Sequence, residues 1–161
     1  MKKILSVALP LLLILCNWTG LDAQEKKFEV SGSSYYSTGM FGPRTIGEVS
    51  FGYSVAPAVS LSLNGLCTNL YSSDKAWGTS LSVSASPKIC ENFFLIPSVG
   101  AGVLGGMLNG KHYNVRACAS LSVEARYMLY DGLFCGFESR YLSAGPGLDT
   151  FLFGLKLGIR L

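Results

Sequence analysis

From Tyr113 to Tyr127 the chain reads YNVRACASLSVEARY, and its residues separate by parity. Tyr113, Val115, Ala117, Ala119, Leu121, Val123, Ala125 and Tyr127 share one parity, and Asn114, Arg116, Cys118, Ser120, Ser122, Glu124 and Arg126 share the other. A helix cannot sort residues this way; a strand, whose side chains alternate between two faces, does so by construction. Val49, Phe51, Tyr53 and Val55 alternate likewise with Glu48, Ser50, Gly52 and Ser54, and Leu81, Val83 and Ala85 with Ser80, Ser82, Ser84 and Ser86. This period of two recurs along the chain and dictates an all-β fold of two-faced strands.

Short clusters of turn residues interrupt the pattern: GMFGPR (39–44), AP (56–57), YSSDKAW (71–77), SPKICEN (86–92), LNGK (108–111), YDG (130–132) and AGPGLD (144–149). Seven breaks delimit eight strands, expected over 27–38, 45–55, 58–70, 78–86, 93–106, 112–128, 133–142 and 150–161. The first and fifth are the least regular. In the fifth, Phe94 and Ile96 fall on the otherwise polar parity, and Pro97 needs a position that tolerates a missing N–H.

The first residues read separately. Lys2 and Lys3 precede a mostly apolar run from Ile4 to Leu15, and Leu21-Asp22-Ala23 places a small residue before Gln24, which predicts a secretory signal peptide over 1–23 cleaved after Ala23. Cys16 raises the alternative of a lipoprotein, but a bulky Leu15 stands where a lipidation site has a small residue. Residues 24–161 then form one domain. No later stretch has the ~20 consecutive apolar residues of a membrane helix. Cys67, Cys90, Cys118 and Cys135 match no zinc spacing; a disulfide among them is open and cannot be paired from sequence.

Alternation alone fits a soluble β-sandwich or a membrane barrel, and the charges and aromatics separate the two. Only 14% of residues are charged against 49% hydrophobic, with a mean hydropathy of +0.37, and the net charge of +3 is too small and scattered for nucleic acid. Glu29, Glu48, Arg116, Glu124, Arg126, Glu138, Arg140, Lys156 and Arg160 all take the parity opposite to the apolar face. That polar face is otherwise small and serine-rich, where a soluble protein's outer face carries many more lysines and glutamates. Tyr113 and Tyr127 bracket the apolar face of the sixth strand, roughly 35 Å apart along a membrane normal for a strand tilted near 40°. Tyr53, Trp77 and Tyr141 also fall near strand ends, where amphipathic rings suit a bilayer interface. The expectation is a closed antiparallel eight-stranded transmembrane β-barrel with short loops, apolar outside and polar inside, because closure leaves no backbone polar group facing lipid.

Taken over residues 24–161, the chain resembles the small eight-stranded outer-membrane barrels of Gram-negative bacteria. TFLFGLKLGIRL (150–161) is similar to the terminal strand by which the barrel assembly machinery recognises such proteins, though it ends in Leu161 rather than an aromatic. The resemblance implies an outer-membrane location, contact with outer-membrane lipid and lipopolysaccharide, and insertion through that strand. A narrower resemblance covers 93–106, 121–134 and 140–154, which look like parts of the conjugal-transfer proteins called TraO of Bacteroides-type elements. Phe93, Phe94, Leu95, Glu124, Tyr127, Leu129, Asp131, Arg140, Phe153 and Gly154 carry it.

Nine charges on one face of a sheet form the nearest thing to a constellation. Eight strands enclose little more than side-chain volume, so four acids and five bases read as a plug of interlocked ion pairs rather than a cation or proton path. RYLSAGPGLD (140–149) invites comparison with outer-membrane lipid A deacylases, whose late strand carries a histidine closely followed by a serine; here Leu142 precedes Ser143, and the single histidine is His112. His112 has no neighbouring His or Cys to share a metal. Tyr71 and Trp77 flank the polar loop SSDK as interface anchors. The sequence therefore predicts a non-enzymatic barrel without cofactor or metal, with a structural or interaction role. The alternatives are a component of a conjugative apparatus and a lipid A-modifying enzyme. Lys156 and Arg160 are expected to point into the lumen with Glu138 or Glu124 among their partners.

Overall fold

The computed structural model describes residues 28–39, 44–56, 58–68, 75–108, 111–130 and 132–161. The expected signal peptide and its cleavage after Ala23 lie outside these residues, as do Tyr71 and residues 72–74 of the SSDK loop. The chain forms β1 (Phe28–Gly39), β2 (Arg44–Ala56), β3 (Val59–Thr68), β4 (Ala76–Ala85), β5 (Lys88–Cys90), β6 (Phe93–Leu108), β7 (Lys111–Tyr130), β8 (Leu133–Ser143) and β9 (Asp149–Arg160). The eight long strands agree with the alternation within a few residues. The three-residue β5 is new: it lies in SPKICEN, expected to be a turn, and pairs Lys88 with Phe94.

The wall runs β4–β3–β2–β1–β9–β8–β7–β6, and β6 returns to β4, so the sheet closes on itself with every pairing antiparallel. The seam between β1 and β9 extends to the last residue, where Phe28 and Leu161 exchange two backbone hydrogen bonds of 3.2 and 2.7 Å. Pro97 sits in β6 opposite Val123, one residue past the last β4 pair, Ser84–Ser98. The Leu95 N–H points to the β4–β5 side, to the Pro87 carbonyl, and residue 97 shares that direction. Its missing donor thus falls in the gap between the β4 and β5 ladders, which is why proline is tolerated there.

Parity decides the two surfaces. Val49, Phe51, Leu61, Leu63, Leu81, Val123, Phe137, Leu155 and Leu157 stand exposed on the outside, Leu155 at 68%. The inside holds two kinds of layer. Near the end where β1–β2, β3–β4, β6–β7 and β8–β9 are joined, hereafter the loop end, Tyr35, Ile46, Leu66, Ala76, Leu104, Cys118, Leu142, Ala144 and Leu152 make one buried apolar cluster. Each barrel strand contributes to it. Leu66 and Leu104 converge over Gly78, where an added Cβ would lie 3.1 Å from both leucine tips. Towards the opposite end, which carries Phe28 and Leu161, the interior is charged and rich in hydroxyls.

This apolar layer departs from the sequence reading, which expected the inward face to be polar throughout and the ion pairs alone to fill the lumen. Ile96 belongs to the same correction. Its parity is genuinely inward, it is 4% exposed, and it packs at the far side of the lumen from the septum-like cluster.

Candidate functional site

Eight of the nine expected interior charges meet inside the barrel. Alternation points Glu29 of β1, Glu48 of β2, Glu124 and Arg126 of β7, Glu138 and Arg140 of β8, and Lys156 and Arg160 of β9 inward, and register then brings them side by side. Arg160 Nη2 lies 3.3 Å from Glu29 Oε2, and Glu29 takes both ends of the Arg126 guanidinium at 2.6 and 2.9 Å. Arg126 also donates to Glu124 at 2.5 and 3.0 Å. Lys156 Nζ bridges Glu124 at 3.1 Å and Glu138 at 3.5 Å. Arg140 donates to Glu138 at 2.8 and 2.9 Å and holds Glu48 through both terminal nitrogens of its guanidinium, Nη1 and Nη2, the latter at 2.9 Å. The order Arg160–Glu29–Arg126–Glu124–Lys156–Glu138–Arg140–Glu48 alternates in sign at every step and sums to zero.

Arg116, the ninth, is excluded. It has the inward parity, but β8 stops pairing with β7 at Ala119–Ser143, so Arg116 stands beyond the wall and is exposed. The expected excess of one base disappears with it. Lys156 has the two partners expected of it, and Arg160 reaches Glu29 instead.

Two members escaped sequence reasoning. Tyr35 is 1% exposed and its hydroxyl donates to Glu138 at 2.7 Å while Arg140 Nη2 donates to it at 3.1 Å. Phe134 is fully buried with the Arg126 guanidinium 3.8 Å above its ring centre. Both share the parity of their strand's charged residues, which was the available signal. Glycines opposite make their room: a Cβ at Gly158 would come 2.3 Å from Phe134 Cζ, and one at Gly154 would come 2.6 Å from Tyr35 Cδ1.

Beside the ladder lies a cavity of about 40 Å³, lined on its other wall by hydroxyls including Ser54, Ser60, Ser62, Ser82, Ser84 and Ser98 with Asn64. Asn64 Nδ2 donates to Ser82 Oγ at 3.0 Å, and Ser98 and Ser122 share a 2.6 Å hydrogen bond. That volume holds roughly three water molecules.

Chemically, every carboxylate of the ladder already accepts charge-assisted hydrogen bonds, which suits cross-bracing of β1, β2, β7, β8 and β9 rather than proton abstraction. Ser143 is opposite Ala119, and His112 lies farther along β7, roughly 23 Å away at strand rise, so backbone register does not bring them together. The His112 and Tyr113 side chains lie outside the described residues. Among the described residues no His, Cys, Asp and Glu are grouped as metal ligands, and Cys67, Cys90, Cys118 and Cys135 are all free thiols.

The aromatics divide between the two rims. Trp77 and Tyr141 stand at the loop end, Tyr141 with its ring 5.0 Å from Phe151, while Tyr53 and Tyr127 stand at the opposite end, Tyr53 with its ring 5.1 Å from Phe28.

No protein-family model and no curated protein matches the sequence. Among solved structures the chain is similar to the N-terminal β-barrel domain of Pseudomonas aeruginosa OprF, with a TM-score of 0.67 at 13% identity over 85% of this chain and 100% of that one. It is similar to Neisserial surface protein A at a TM-score of 0.66 and 9% identity, covering 83% and 96%. It is also similar to the outer membrane enzyme PagL, at 0.58 and 7%, covering 83% and 99%. At such identities the likeness is one of fold, and that fold is the closed antiparallel eight-stranded barrel of small outer-membrane proteins.

Proposed function

We propose that the chain is an integral outer-membrane barrel of a Gram-negative bacterium, with a structural or interaction role and an interior that conducts nothing. The observation that carries this is the inverted surface. A belt of exposed leucine, valine and phenylalanine is edged by tyrosine and tryptophan, while eight charges are spent on one another inside. Water would penalise the first and has no use for the second; a bilayer accounts for both. On this reading outer-membrane lipid and lipopolysaccharide contact the belt, and the barrel assembly machinery engages β9. Extraction from outer-membrane fractions with heat-modifiable migration is the expected result, and recovery as a soluble periplasmic species would overturn it.

A second reading, a component of a conjugative transfer apparatus, rests on the TraO resemblance of 93–106, 121–134 and 140–154. Of the residues that carry it, Glu124 and Arg140 are ladder members, whereas Leu95, Tyr127 and Phe153 face outward. A gene set among transfer genes and a loss of mating on its deletion would favour this reading. Lipid modification has weaker grounds, since Ser143 and His112 are far apart; unchanged lipid A mass profiles on deletion are the expected result.

A further inference from the structure

The lumen is not uniform, and its layering points to what keeps it shut. At the loop end every one of the eight wall strands places a buried side chain in the same apolar disc: Tyr35, Ile46, Leu66, Ala76, Leu104, Cys118, Leu142 and Leu152, in chain order. Leu148, from the turn between β8 and β9, packs against it. Ile46 is 0% and Leu152 1% exposed, so the disc admits no water. One layer further in, Ser50, Asn64 and Ser80 follow Glu48, Leu66 and Gly78 in the register, and the polar cavity starts there. None of the residues lining the cavity belongs to the disc. Its lining instead continues through Ser62, Ser82, Ser60 and Ser84 to Ser54, Ser86, Glu29 and Arg160, the last inward residues before the rim that carries Phe28 and Leu161. Ser54, Ser60, Ser62, Ser82 and Ser84 are each partly accessible.

We infer that the barrel is a one-ended vestibule: water enters from the rim that carries Phe28 and Leu161, and the apolar septum, not the ion-pair ladder, seals the other end. This rests on the membrane location proposed above and adds what makes the interior closed. The physical grounds are two. Ion pairs and hydroxyls tolerate water beside them, whereas a close-packed layer built mainly of leucine, isoleucine and alanine, whose one hydroxyl, on Tyr35, is already held by Glu138 and Arg140, leaves water little to bond. The ladder also occupies only one side of the lumen, since all its members come from β1, β2, β7, β8 and β9, and the hydroxyl wall, chiefly from β3 and β4 with Ser54 of β2 and Ser98 of β6, faces it across the cavity. Charge balance means the ladder adds no net charge to the vestibule and every carboxylate already has a cationic partner, so its guest is water rather than a tightly bound ion.

Thiol accessibility tests this. All native cysteines are replaced, Cys118 of the septum by alanine so that no hydroxyl enters it, Ser84 is changed to cysteine, and the protein is inserted in one orientation into lipid vesicles, the orientation being read from protease cleavage of a tag on the Phe28 side. A small water-soluble thiol reagent should label Ser84→Cys from that side only. In a Leu66→Ser, Leu104→Ser background with the ladder intact, labelling should appear from both sides, at least tenfold faster from the loop side than before. In an Arg140→Gln background with the septum intact it should stay one-sided. Labelling from both sides with the septum intact, from neither side, or newly from the loop side in Arg140→Gln would overturn the inference. Heat-modifiable migration of every variant certifies the barrel. A variant set that never inserts counts against the membrane location, a failure distinct from that of the septum.

Discussion

Arg126 is gripped by two acids from two strands, Glu29 and Glu124, and stacks on Phe134, so its removal leaves Glu29 with Arg160 alone, Glu124 with Lys156 alone, and the ladder with one acid in excess. Arg126→Met is expected to cost about 3–5 kcal/mol of stability, because the acids left behind keep their charge and lose their shared partner. Arg116→Ala should stay within about 0.5 kcal/mol, since that side chain is exposed beyond the wall. Urea titration of the folded fraction in lipid vesicles measures both. Gly158→Leu tests the fit from the other side: the first added carbon already collides with Phe134, and the expected outcome is failure to reach the heat-modifiable form. Eight of the ladder's charges were legible because strand parity needs only the identities of neighbours. Tyr35 and Phe134 were not, since an aromatic on the polar parity reads as noise until its opposite glycine, Gly154 or Gly158, is known to face it across a seam that joins β1 or β8 to β9.

Along β9 consecutive residues face opposite surroundings, and the difference can be measured as an asymmetry between adjacent substitutions. Leu155→Arg puts a cation on the outer surface midway along the strand and should cost about 2–4 kcal/mol, whereas the native cation at Lys156, one residue on, is held by Glu124 and Glu138. Equal tolerance of arginine at 155 in a soluble form would argue for an outside that faces water. The long strands were readable from period two because most have one mainly apolar face. β5 was not, because a three-residue strand offers no period, and its Lys88, Ile89 and Cys90 are all exposed. The septum was missed for a related reason: at the loop end both faces of a strand are apolar, so FLF at 151–153 and VL at 103–104 lose their alternation where Leu152 and Leu104 turn inward. Runs of consecutive apolar residues confined to one end of several strands were the signal for it.

At the scale of the whole barrel, intact protein in a planar bilayer should give no steady conductance, since the apolar layer to which all eight wall strands contribute lies across the lumen; sustained unit currents would contradict the closed interior. Closure also depends on the most distant pairing in the chain, β1 with β9, so the wall is complete only when the first and last strands meet. The fold was available from pattern alone, but the closure partner of each strand and the division of the lumen into layers came only from register. The ladder's strict alternation of sign has a consequence for descent. With four acids and four bases in single file, a lone change of charge at any link leaves one neighbour unmatched, whereas a swap of two adjacent links, or the loss of one acid together with one base, restores neutrality. Related chains should therefore vary at these eight positions in linked pairs, Glu29 with Arg126 or Arg160, Glu48 with Arg140, and should show almost no independent drift.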